Sequence, residues 1–271
     1  MKVIRVFESF AGYGSQALAL KRLQRDFPHS VKFEFVGISE IEPYAIAAYR
    51  ALHGNVVNYG DITQIDWEGV SDFDLFTYSF PCTDLSNAGK QKGFSEGSGT
   101  RSSLLWECRK AIEIKRPQYL LMENVKALVQ KKFMPEFQRW IDTLTELGYD
   151  SYWKVLNAKD FGVPQNRERV FMVSILSRNS EGKQLYNFPQ PFPLEKRLRD
   201  VLEDEVAEEF YLKDEQVERI LAHCERKQAE GCGFNTQFTP PSNEVVGTIT
   251  GKYGQRETDP YLKLNETDNP D

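Results

Sequence analysis

Short apolar runs alternate with segments of helical apolar spacing over the first 175 residues of the chain. The runs predict buried strands at residues 3–7, 33–38, 73–78 and 119–122. The helical spacing predicts helices over residues 15–26, from near Pro43, and over residues 104–114 and 133–147. Residues 152–156 and 169–175 are predicted to be two closing strands. Strands and helices that alternate in this way indicate an α/β fold, with a mostly parallel sheet and helices on both faces.

The pattern changes after Leu176. Residues 187–193 hold three prolines, residues 203–227 form a charged stretch of helical character, and the chain from Gly231 is rich in Gly, Thr, Asn and Pro. Irregular composition of this kind predicts a second, smaller domain. We therefore expect a first domain over residues 1–177 and a second over residues 178–271.

Composition narrows the class of protein. A chain of 271 residues with 40% hydrophobic content can bury a large core without disulfides. No apolar run is long enough to cross a membrane, and the charged N-terminus lacks the apolar core of a signal peptide. These features predict a cytoplasmic protein. The net charge of −6 argues against a general nucleic-acid coat, but it is compatible with an enzyme whose basic groups line one cleft.

The cysteines give no sign of a metal site or a disulfide framework. No two of Cys82, Cys108, Cys224 and Cys232 have CxxC spacing. His223 and Cys224 with Cys232 would make three ligands, but no fourth is evident, and a helix that contains a cysteine explains them more simply. We expect no bound metal.

Cys82 is the first candidate for chemistry, because it follows Pro81 directly after the predicted strand 73–78. Ligands in open α/β sheets bind at the carboxyl ends of strands. Proline restricts the backbone, so the direction of the thiol is set by the chain. A lone cysteine is nevertheless more often a buried apolar residue, so the interpretation depends on the other motifs.

A glycine-rich turn, Gly12-Tyr13-Gly14, lies between the first strand and the first helix, as in nucleotide-binding folds. Glu40 follows the second strand, where a carboxylate can bind ribose hydroxyls. Asp61 is expected to follow a third strand and to accept a hydrogen bond from an adenine amino group. Together they predict an adenosine-containing cofactor, although NAD enzymes share the turn and carboxylates in turns are often caps.

Glu123 follows the strand 119–122 and is expected at the same sheet edge as Cys82. Arg167 and Arg169 precede the last strand and share one face of it. Separately, these residues are explained by a helix cap and a surface ion-pair row with Glu168. Together they would supply a nucleophile, an acid and cationic donors around one cleft.

Five ordered motifs make residues 3–175 resemble the C5-cytosine-specific DNA methyltransferases of bacteria and phages. The matching segments are Phe10-Ala11-Gly12-Tyr13-Gly14, Phe80-Pro81-Cys82 with Ser86, Gly89-Lys90-Gln91-Lys92-Gly93-Phe94, Glu123-Asn124-Val125, and Gln165, Arg167 and Arg169. The resemblance implies an S-adenosylmethionine-dependent methyltransferase with a Rossmann-like sheet, and a smaller target-recognition domain that binds double-stranded DNA.

The resemblance also implies a role for each site residue. Phe10, Gly12, Gly14, Glu40, Asp61 and Pro81 would bind the cofactor. Cys82 would add to C6 of a cytosine flipped out of the duplex, and Glu123 would bind and protonate N3. Arg169 would hold O2, while Arg167 would orient the site and favour the thiolate. Residues 87–99 would form a lid, and solvent would remove the C5 proton.

The chain departs from the family pattern at three places. Thr83 follows the catalytic cysteine where Gln is usual, and Glu8-Ser9 replaces Asp-Leu before the cofactor motif. Residues 246–250 resemble the family's Thr-rich element, but the later Gly-Asn-Ser segment, which completes the cofactor pocket, is not found. A two-subunit enzyme, a truncated product or a fragment would each explain this. We expect residues 1–271 to bind cofactor poorly without a complementary segment.

Other classes of function stay open at this stage. A non-catalytic DNA-binding subunit would retain the fold, but it would not need Cys82, Glu123 and both arginines. A dinucleotide-dependent oxidoreductase would account for the glycine turn alone. An RNA-modifying relative within the family is not distinguished from a DNA enzyme by any motif in the chain.

Overall fold

The computed structural model describes residues 1–85, 92–177, 185–231, 238–249 and 260–262. The strands of its main sheet are β1 (Lys2–Ser9), β2 (Val31–Ser39), β3 (Leu75–Tyr78), β4 (Tyr119–Val125), β5 (Tyr149–Asn157) and β6 (Glu168–Leu176). The α-helices are α1 (Ser15–Asp26), α2 (Pro43–His53), α3 (Glu107–Lys115), α4 (Met134–Glu146) and α5 (Asp214–Ala229). Two short strands, β7 (Phe238–Thr239) and β8 (Tyr261–Leu262), pair in parallel.

The six strands of the main sheet lie in the order β2-β1-β3-β4-β6-β5. Strands β1 to β4 are parallel to one another, and β6 runs antiparallel to β4. The predicted α/β class and the predicted closing strands are confirmed. The chain adds β2 on one side of β1 and β3 on the other, so the strand order reverses at β1. Ligands in open α/β sheets bind beside such a reversal.

The register of the sheet sets one row of residues across its carboxyl edge. Ser9 is paired with Ser39 on one side and with Tyr78 on the other. Tyr78 is in turn paired with Met122. The residues that follow this row, on four neighbouring parallel strands, therefore emerge at the same edge.

The main hydrophobic core lies on one face of the sheet. It joins alternate residues of the strands to the buried faces of α3 and α4, and its members include Phe7, Phe76, Tyr78, Leu120, Met122, Cys108, Ile112, Phe137, Trp140 and Leu144. The buried residues of α4 recur at helical spacing, which is why this segment forms a helix against the sheet. A smaller cluster joins Ala17 of α1 and Tyr49 of α2 to Ile38 of β2.

The chain divides into two compact units. The first contains residues 1–155 and 169–188, and the second contains residues 156–168 and 189–271. Residues 156–168 thus group with the second unit, whereas the sequence pattern placed them in the first domain. The assignment of the first domain to catalysis and of the second to target recognition stays a prediction.

Three local predictions are corrected. The charged stretch 203–227 is not one helix, because α5 begins only at Asp214. The helix expected over residues 104–114 is a 3-10 helix, Arg101–Trp106, followed by α3. No strand lies between α2 and Asp61 among the described residues, so Asp61 does not follow the expected third strand; Asn58 makes only an isolated bridge with Ile38.

Within the described part of the chain, no helix combines the length and apolar character required to cross a membrane.

Candidate active site

Four predicted site segments begin at the carboxyl edge of the sheet. Phe10 follows Ser9 and Glu40 follows Ser39, each directly after a residue of the paired row. Glu123 follows Met122 of the same row, but the prediction that it comes after the strand is wrong, because β4 continues to Val125 and pairs Glu123 with Phe171. The segment that ends at Cys82 leaves the sheet after Tyr78 of the same row. The parallel register therefore brings the predicted cofactor turn and the predicted nucleophile segment to one edge, because both strands end in the same direction.

The backbone before Cys82 is held by two buried side chains. Asn124 donates from Nδ2 to the carbonyl oxygen of Phe80 at 2.9 Å. Ser102 donates from Oγ to the carbonyl oxygen of Pro81 at 2.6 Å. Asn124 is 2% exposed and Ser102 is fully buried, so both hydrogen bonds are shielded from water. The position of Cys82 is thus fixed by β4 and by the 3-10 helix that precedes α3.

Cys82 differs from Cys108 in its environment. Cys82 is a free, half-buried thiol, so it remains reachable from outside the protein. Cys108 is fully buried in the main core, and burial raises the pKa of its thiol well above the ordinary value. Reactive cysteines are partly exposed, whereas buried ones are inert. Of these two thiols, Cys82 is the one suited to act as a nucleophile.

Glu123 and Arg169 form an ion pair, in which the distance from Nε to Oε1 is 3.0 Å. In the antiparallel ladder Val125 is opposite Arg169, so Glu123 is the diagonal neighbour of Arg169 on the same face. Both side chains are about one-fifth exposed. A carboxylate and a guanidinium at this spacing can contact two adjacent polar atoms of one ligand.

The glycine turn after β1 has a backbone that favours glycine. Gly12 has a φ of 56° and Gly14 a φ of 82°, both in the left-handed region. Phe10 also has a positive φ, of 56°, which is unusual for a residue with a side chain. A Cβ atom built on Gly12 would meet no atom within 4 Å. This open space beside the start of α1 fits the close approach of a cofactor to the backbone.

Glu40 closes the same turn from β2. Its Oε2 accepts a hydrogen bond from the Gly12 amide at 2.8 Å, and its Oε1 accepts from the amides of Ile41 and Glu42. The carboxylate therefore lies against the glycine turn, and its binding of ribose hydroxyls stays a prediction. In this arrangement it also caps its own loop.

Asp61 lies on an exposed turn that begins a 3-10 helix, Ile62–Gln64. Its Oδ1 accepts hydrogen bonds from the amide and the hydroxyl of Thr63, each at 2.9 Å. The carboxylate acts as a helix cap here. The hydrogen bonds of the Asp61 carboxylate give no support to the prediction that it binds adenine, which stays a prediction.

Arg167 belongs to the second unit, where it contacts the Thr-rich element. Its Nη1 donates to the carbonyl oxygen of Ile249 at 3.2 Å. Thr248 donates from its hydroxyl to the carbonyl oxygen of Asn166 at 2.8 Å, and the Asn166 amide donates to Val246 at the same distance. The structure thus joins two motifs that the sequence presented separately.

The predicted lid is described only in its second half, since residues 86–91 lie outside the described residues. Phe94 is fully buried, and its carbonyl oxygen accepts a hydrogen bond from Nε1 of Trp106 at 2.9 Å. The Gly93 carbonyl accepts from the Thr100 hydroxyl at 2.9 Å. The carboxyl-terminal half of the predicted lid is therefore anchored to the core.

Sequence reasoning named no role for several residues that support the site. Asn124 and Ser102 hold the nucleophile segment, as described above. Gln16 of α1 donates from Nε2 to Oγ of Ser79 at 2.6 Å and so links the cofactor turn to that segment. The available signal for Asn124 was a second polar residue, next to Glu123, at the end of the apolar run of β4.

A cavity of about 500 Å³ lies at the opposite end of the sheet from Cys82. Its lining includes Arg5, Asp72, Asp74, Lys115, Arg116 and Gln118. These residues surround the amino ends of β3 and β4, whereas ligands bind at the carboxyl ends. We therefore place the candidate site at the edge that carries Cys82 and Glu123.

Comparison with known proteins connects this site to one family. The family model described as C-5 cytosine-specific DNA methylase matches residues 4–267. The type II methyltransferase M2.ScrFI of Lactococcus lactis subsp. cremoris is 43% identical over an alignment of 268 positions, gaps included. This alignment covers 79% of this chain and 72% of that protein. The orphan methyltransferase M.SssI of Spiroplasma monobiae is 34% identical over an alignment of 321 positions, gaps included. This alignment covers 91% of this chain and 80% of that protein.

Solved structures share the fold. A crystal structure of a DNMT2 mutant from Spodoptera frugiperda is similar with a TM-score of 0.73 at 17% identity, over 97% of this chain and 76% of that one. The crystal structure of S. pombe Dnmt2 methyltransferase gives a TM-score of 0.69 at 21% identity, over 98% and 77%. Both are evidence of a common fold.

Proposed function

The chain belongs to the C-5 cytosine-specific DNA methylase family, and we propose that Cys82 is its catalytic nucleophile. The protein is a methyltransferase, and its methyl donor is S-adenosylmethionine. DNA is the substrate of the family, so we take cytosine in double-stranded DNA as the acceptor. The proposal concerns the residues that perform the reaction and the order of its steps.

In the proposed reaction, the Cys82 thiolate forms a bond to C6 of the cytosine, which makes C5 nucleophilic. The bound S-adenosylmethionine supplies the methyl group that C5 receives. Loss of the C5 proton to solvent then breaks the bond between sulfur and C6 and frees Cys82. Because C6 is buried in a duplex stack, the target base is flipped into the site before Cys82 can reach it.

Glu123 and Arg169 act on the other edge of the same base. Glu123 binds N3 and protonates it when Cys82 adds, so that negative charge does not accumulate on the ring, and it takes this proton back when the bond between sulfur and C6 breaks. Arg169 holds O2, and Arg167 orients the site and favours the Cys82 thiolate. The ion pair between Glu123 and Arg169 supports this assignment, since N3 and O2 are neighbouring acceptors on one edge of cytosine.

The residues of the cofactor site belong to the turn after β1 and to the strand ends beside it. We propose that Phe10, Gly12, Gly14, Glu40, Asp61 and Pro81 hold S-adenosylmethionine. The open space beside Gly12 supports this placement most directly, because a ligand can approach that backbone without displacing an atom. Asp61 is the least supported member, since its carboxylate caps its own turn.

One observation carries the mechanism: a half-buried thiol on a segment that two buried hydrogen bonds fix at the edge where Glu123 emerges. Its test uses duplex DNA in which 5-fluorocytosine replaces cytosine. Fluorine takes the place of the C5 proton whose loss would release Cys82, so the covalent adduct stays trapped. With S-adenosylmethionine present, we expect a covalent complex with the unaltered chain and none with Cys82→Ala.

The matched control is Cys108→Ala, which removes a fully buried thiol from the same unit. This variant is expected to form the adduct as the unaltered chain does. An adduct that survives Cys82→Ala would contradict the assignment of the nucleophile. Replacing the duplex with RNA of the same sequence separates a DNA substrate from an RNA substrate.

We also propose that a polypeptide segment outside residues 1–271 completes the cofactor site. Leu121, Phe171 and Val173 lie on one face of β4 and β6 and are half-buried, whereas their neighbours on the opposite face are fully buried. The relatives named above also extend beyond the region matched here. An amphipathic segment that covers this face would add apolar burial to the fold.

This second proposal is tested by measuring methyl transfer to DNA with and without an added peptide that carries the family's Gly-Asn-Ser segment. We expect the peptide to lower the KM for S-adenosylmethionine at least tenfold. Full activity of residues 1–271 alone, at ordinary cofactor concentrations, would refute it. A cytoplasmic location and a target-recognition role for the second domain are proposed on the resemblance alone.

A further inference from the structure

Glu8 is a buried carboxylate that the proposed mechanism does not use. It lies near the end of β1, two residues before the cofactor turn, and is 1% exposed. Its Oε2 accepts a hydrogen bond from the Tyr49 hydroxyl at 2.6 Å, and its Oε1 accepts from the Ala17 amide at 3.0 Å. One carboxylate therefore connects β1, the first turn of α1 and the middle of α2.

Helix α2 packs directly against the backbone of the glycine turn. A Cβ atom on Gly14 would lie 2.7 Å from Cε2 of Tyr49 and 2.5 Å from Nε2 of His53. Nε2 of His53 also lies 3.1 Å from the carbonyl oxygen of Tyr13. The ring of Tyr49, which is fully buried, thus supports the turn at Gly14, whereas Gly12 faces open space.

We propose that Glu8 and Tyr49 are positioning residues, which hold the glycine turn in the shape that receives S-adenosylmethionine. The proposal rests on the cofactor site proposed above. The hydrogen bond between the two side chains fixes α2 relative to β1, and α2 in turn fixes the backbone at Gly14. Neither residue needs to touch the cofactor for this effect.

The hydroxyl of Tyr49 can be removed with little change in packing. Tyr49→Phe keeps the ring beneath Gly14 but leaves Oε2 of Glu8 buried without that donor. A buried group that loses its hydrogen-bond partner is costly, so the end of β1 and the turn are expected to rearrange. Tyr149→Phe is the matched control: its hydroxyl is also buried and donates to the Pro117 carbonyl at 2.7 Å, away from the turn.

Hydrogen exchange, calorimetric titration and steady-state kinetics test the proposal on the full chain. Hydrogen exchange without cofactor reports the turn itself, and we expect Tyr49→Phe to speed exchange of residues 10–17 while the rest of the sheet keeps its protection. Calorimetric titration is expected to show about tenfold weaker binding of S-adenosylmethionine. The KM for DNA and kcat are expected to stay within about twofold. Tyr149→Phe is expected to leave the exchange of residues 10–17 and the cofactor affinity unchanged.

Unchanged exchange at residues 10–17 in Tyr49→Phe would overturn the proposal, as would equal losses of affinity for cofactor and DNA. Loss of protection throughout the chain would overturn it too, because it would indicate a general structural role. If the unaltered chain binds no S-adenosylmethionine even with the complementary peptide, the proposed cofactor site fails. The exchange measurement still decides whether Glu8 and Tyr49 position the turn.

Discussion

At the scale of single residues, the site depends on buried hydrogen bonds to the main chain. The carbonyl oxygens of Phe80 and Pro81 are held by Asn124 and Ser102, so the backbone that carries Cys82 is placed by side chains other than those proposed to bind the base. Reactive geometry in enzymes is typically fixed by such supporting residues. A change in these supporting residues should therefore lower the rate of the reaction at Cys82 and leave its chemical steps the same.

We predict that Asn124→Ala slows formation of the 5-fluorocytosine adduct and lowers the free energy of unfolding by about 1–3 kcal/mol. The reason is that the buried carbonyl of Phe80 loses its donor. Gln118→Ala is the control, because Gln118 makes the same type of bond to the Leu176 carbonyl at the other end of β4. Equal rates of adduct formation in Asn124→Ala and the unaltered chain would refute the prediction.

Glu8 makes the stability of the protein depend on pH. Burial raises the pKa of Glu8 from 4.5 to about 7, while the hydrogen bonds from Tyr49 and Ala17 and the charge of Lys21 act in the opposite direction. Between these two pH values the folded chain keeps a proton that the unfolded chain has released. The contribution of Glu8 to the free energy of unfolding therefore falls as the pH rises through this window.

Glu8→Gln is expected to remove this dependence. Relative to the variant, the unaltered chain should lose on the order of 3 kcal/mol of unfolding free energy between pH 4.5 and 7. Urea unfolding at several pH values measures the difference. Glu34→Gln, at an exposed position on β2, is the control. Parallel pH profiles of the unaltered chain and Glu8→Gln would contradict this account of the carboxyl group.

At the scale of elements, the turn between β1 and α1 uses its two glycines for different purposes. Gly14 is closely packed against Tyr49 and His53 of α2, whereas Gly12 faces open space. Both have a positive φ. The turn therefore has one side that packs on the protein and one side that is available to a ligand.

We predict that Gly14→Ala lowers the free energy of unfolding by about 3 kcal/mol, from backbone strain and overpacking together. Gly12→Ala should cost only about 1 kcal/mol, since strain acts alone there. It should nevertheless weaken binding of S-adenosylmethionine, because its Cβ fills the open space. Urea unfolding and calorimetry measure the two effects. Equal stability losses, or an unchanged affinity in Gly12→Ala, would contradict this division.

At the scale of the whole molecule, residues 156–168 leave the first unit and pack with the second. Gln165 forms a bridge with Val246, and the Phe192 amide donates to the Asp160 carbonyl at 3.0 Å. The rings of Phe161 and Phe192 make an edge contact with their centroids 5.9 Å apart. The second unit is therefore built from two separate parts of the chain.

A cut at the boundary predicted from sequence should consequently disrupt the second unit. Residues 178–271 expressed alone are expected to show no cooperative unfolding, because they lack residues 156–168. A fusion of residues 156–168 to residues 189–271 through a glycine–serine linker is expected to unfold cooperatively. Circular dichroism during thermal unfolding distinguishes the two fragments. A cooperative transition in residues 178–271 alone would show that the second unit folds without residues 156–168.

The order of the main elements and most of the residues at the carboxyl edge of the sheet follow from the sequence pattern alone. Apolar runs and helical spacing are local properties, so α1 and β4 begin where the pattern predicted. Turn chemistry is local too, which is why the glycine turn, the Pro81-Cys82 segment and Glu123 are recognisable in the sequence. The predictions of a strand before Asp61 and of helical structure throughout residues 203–227 were wrong. A short apolar stretch does not specify a partner strand, and helical spacing does not specify a surface for the helix to pack on.

Which of these residues contact each other follows from the folded arrangement of the chain. The pairing of Glu123 with Arg169 depends on the register between β4 and β6. The contact of Glu8 with Tyr49 and the placement of residues 156–168 depend on packing between segments far apart in the chain. Register and packing are collective properties of the folded core, so residue type and spacing do not reveal them.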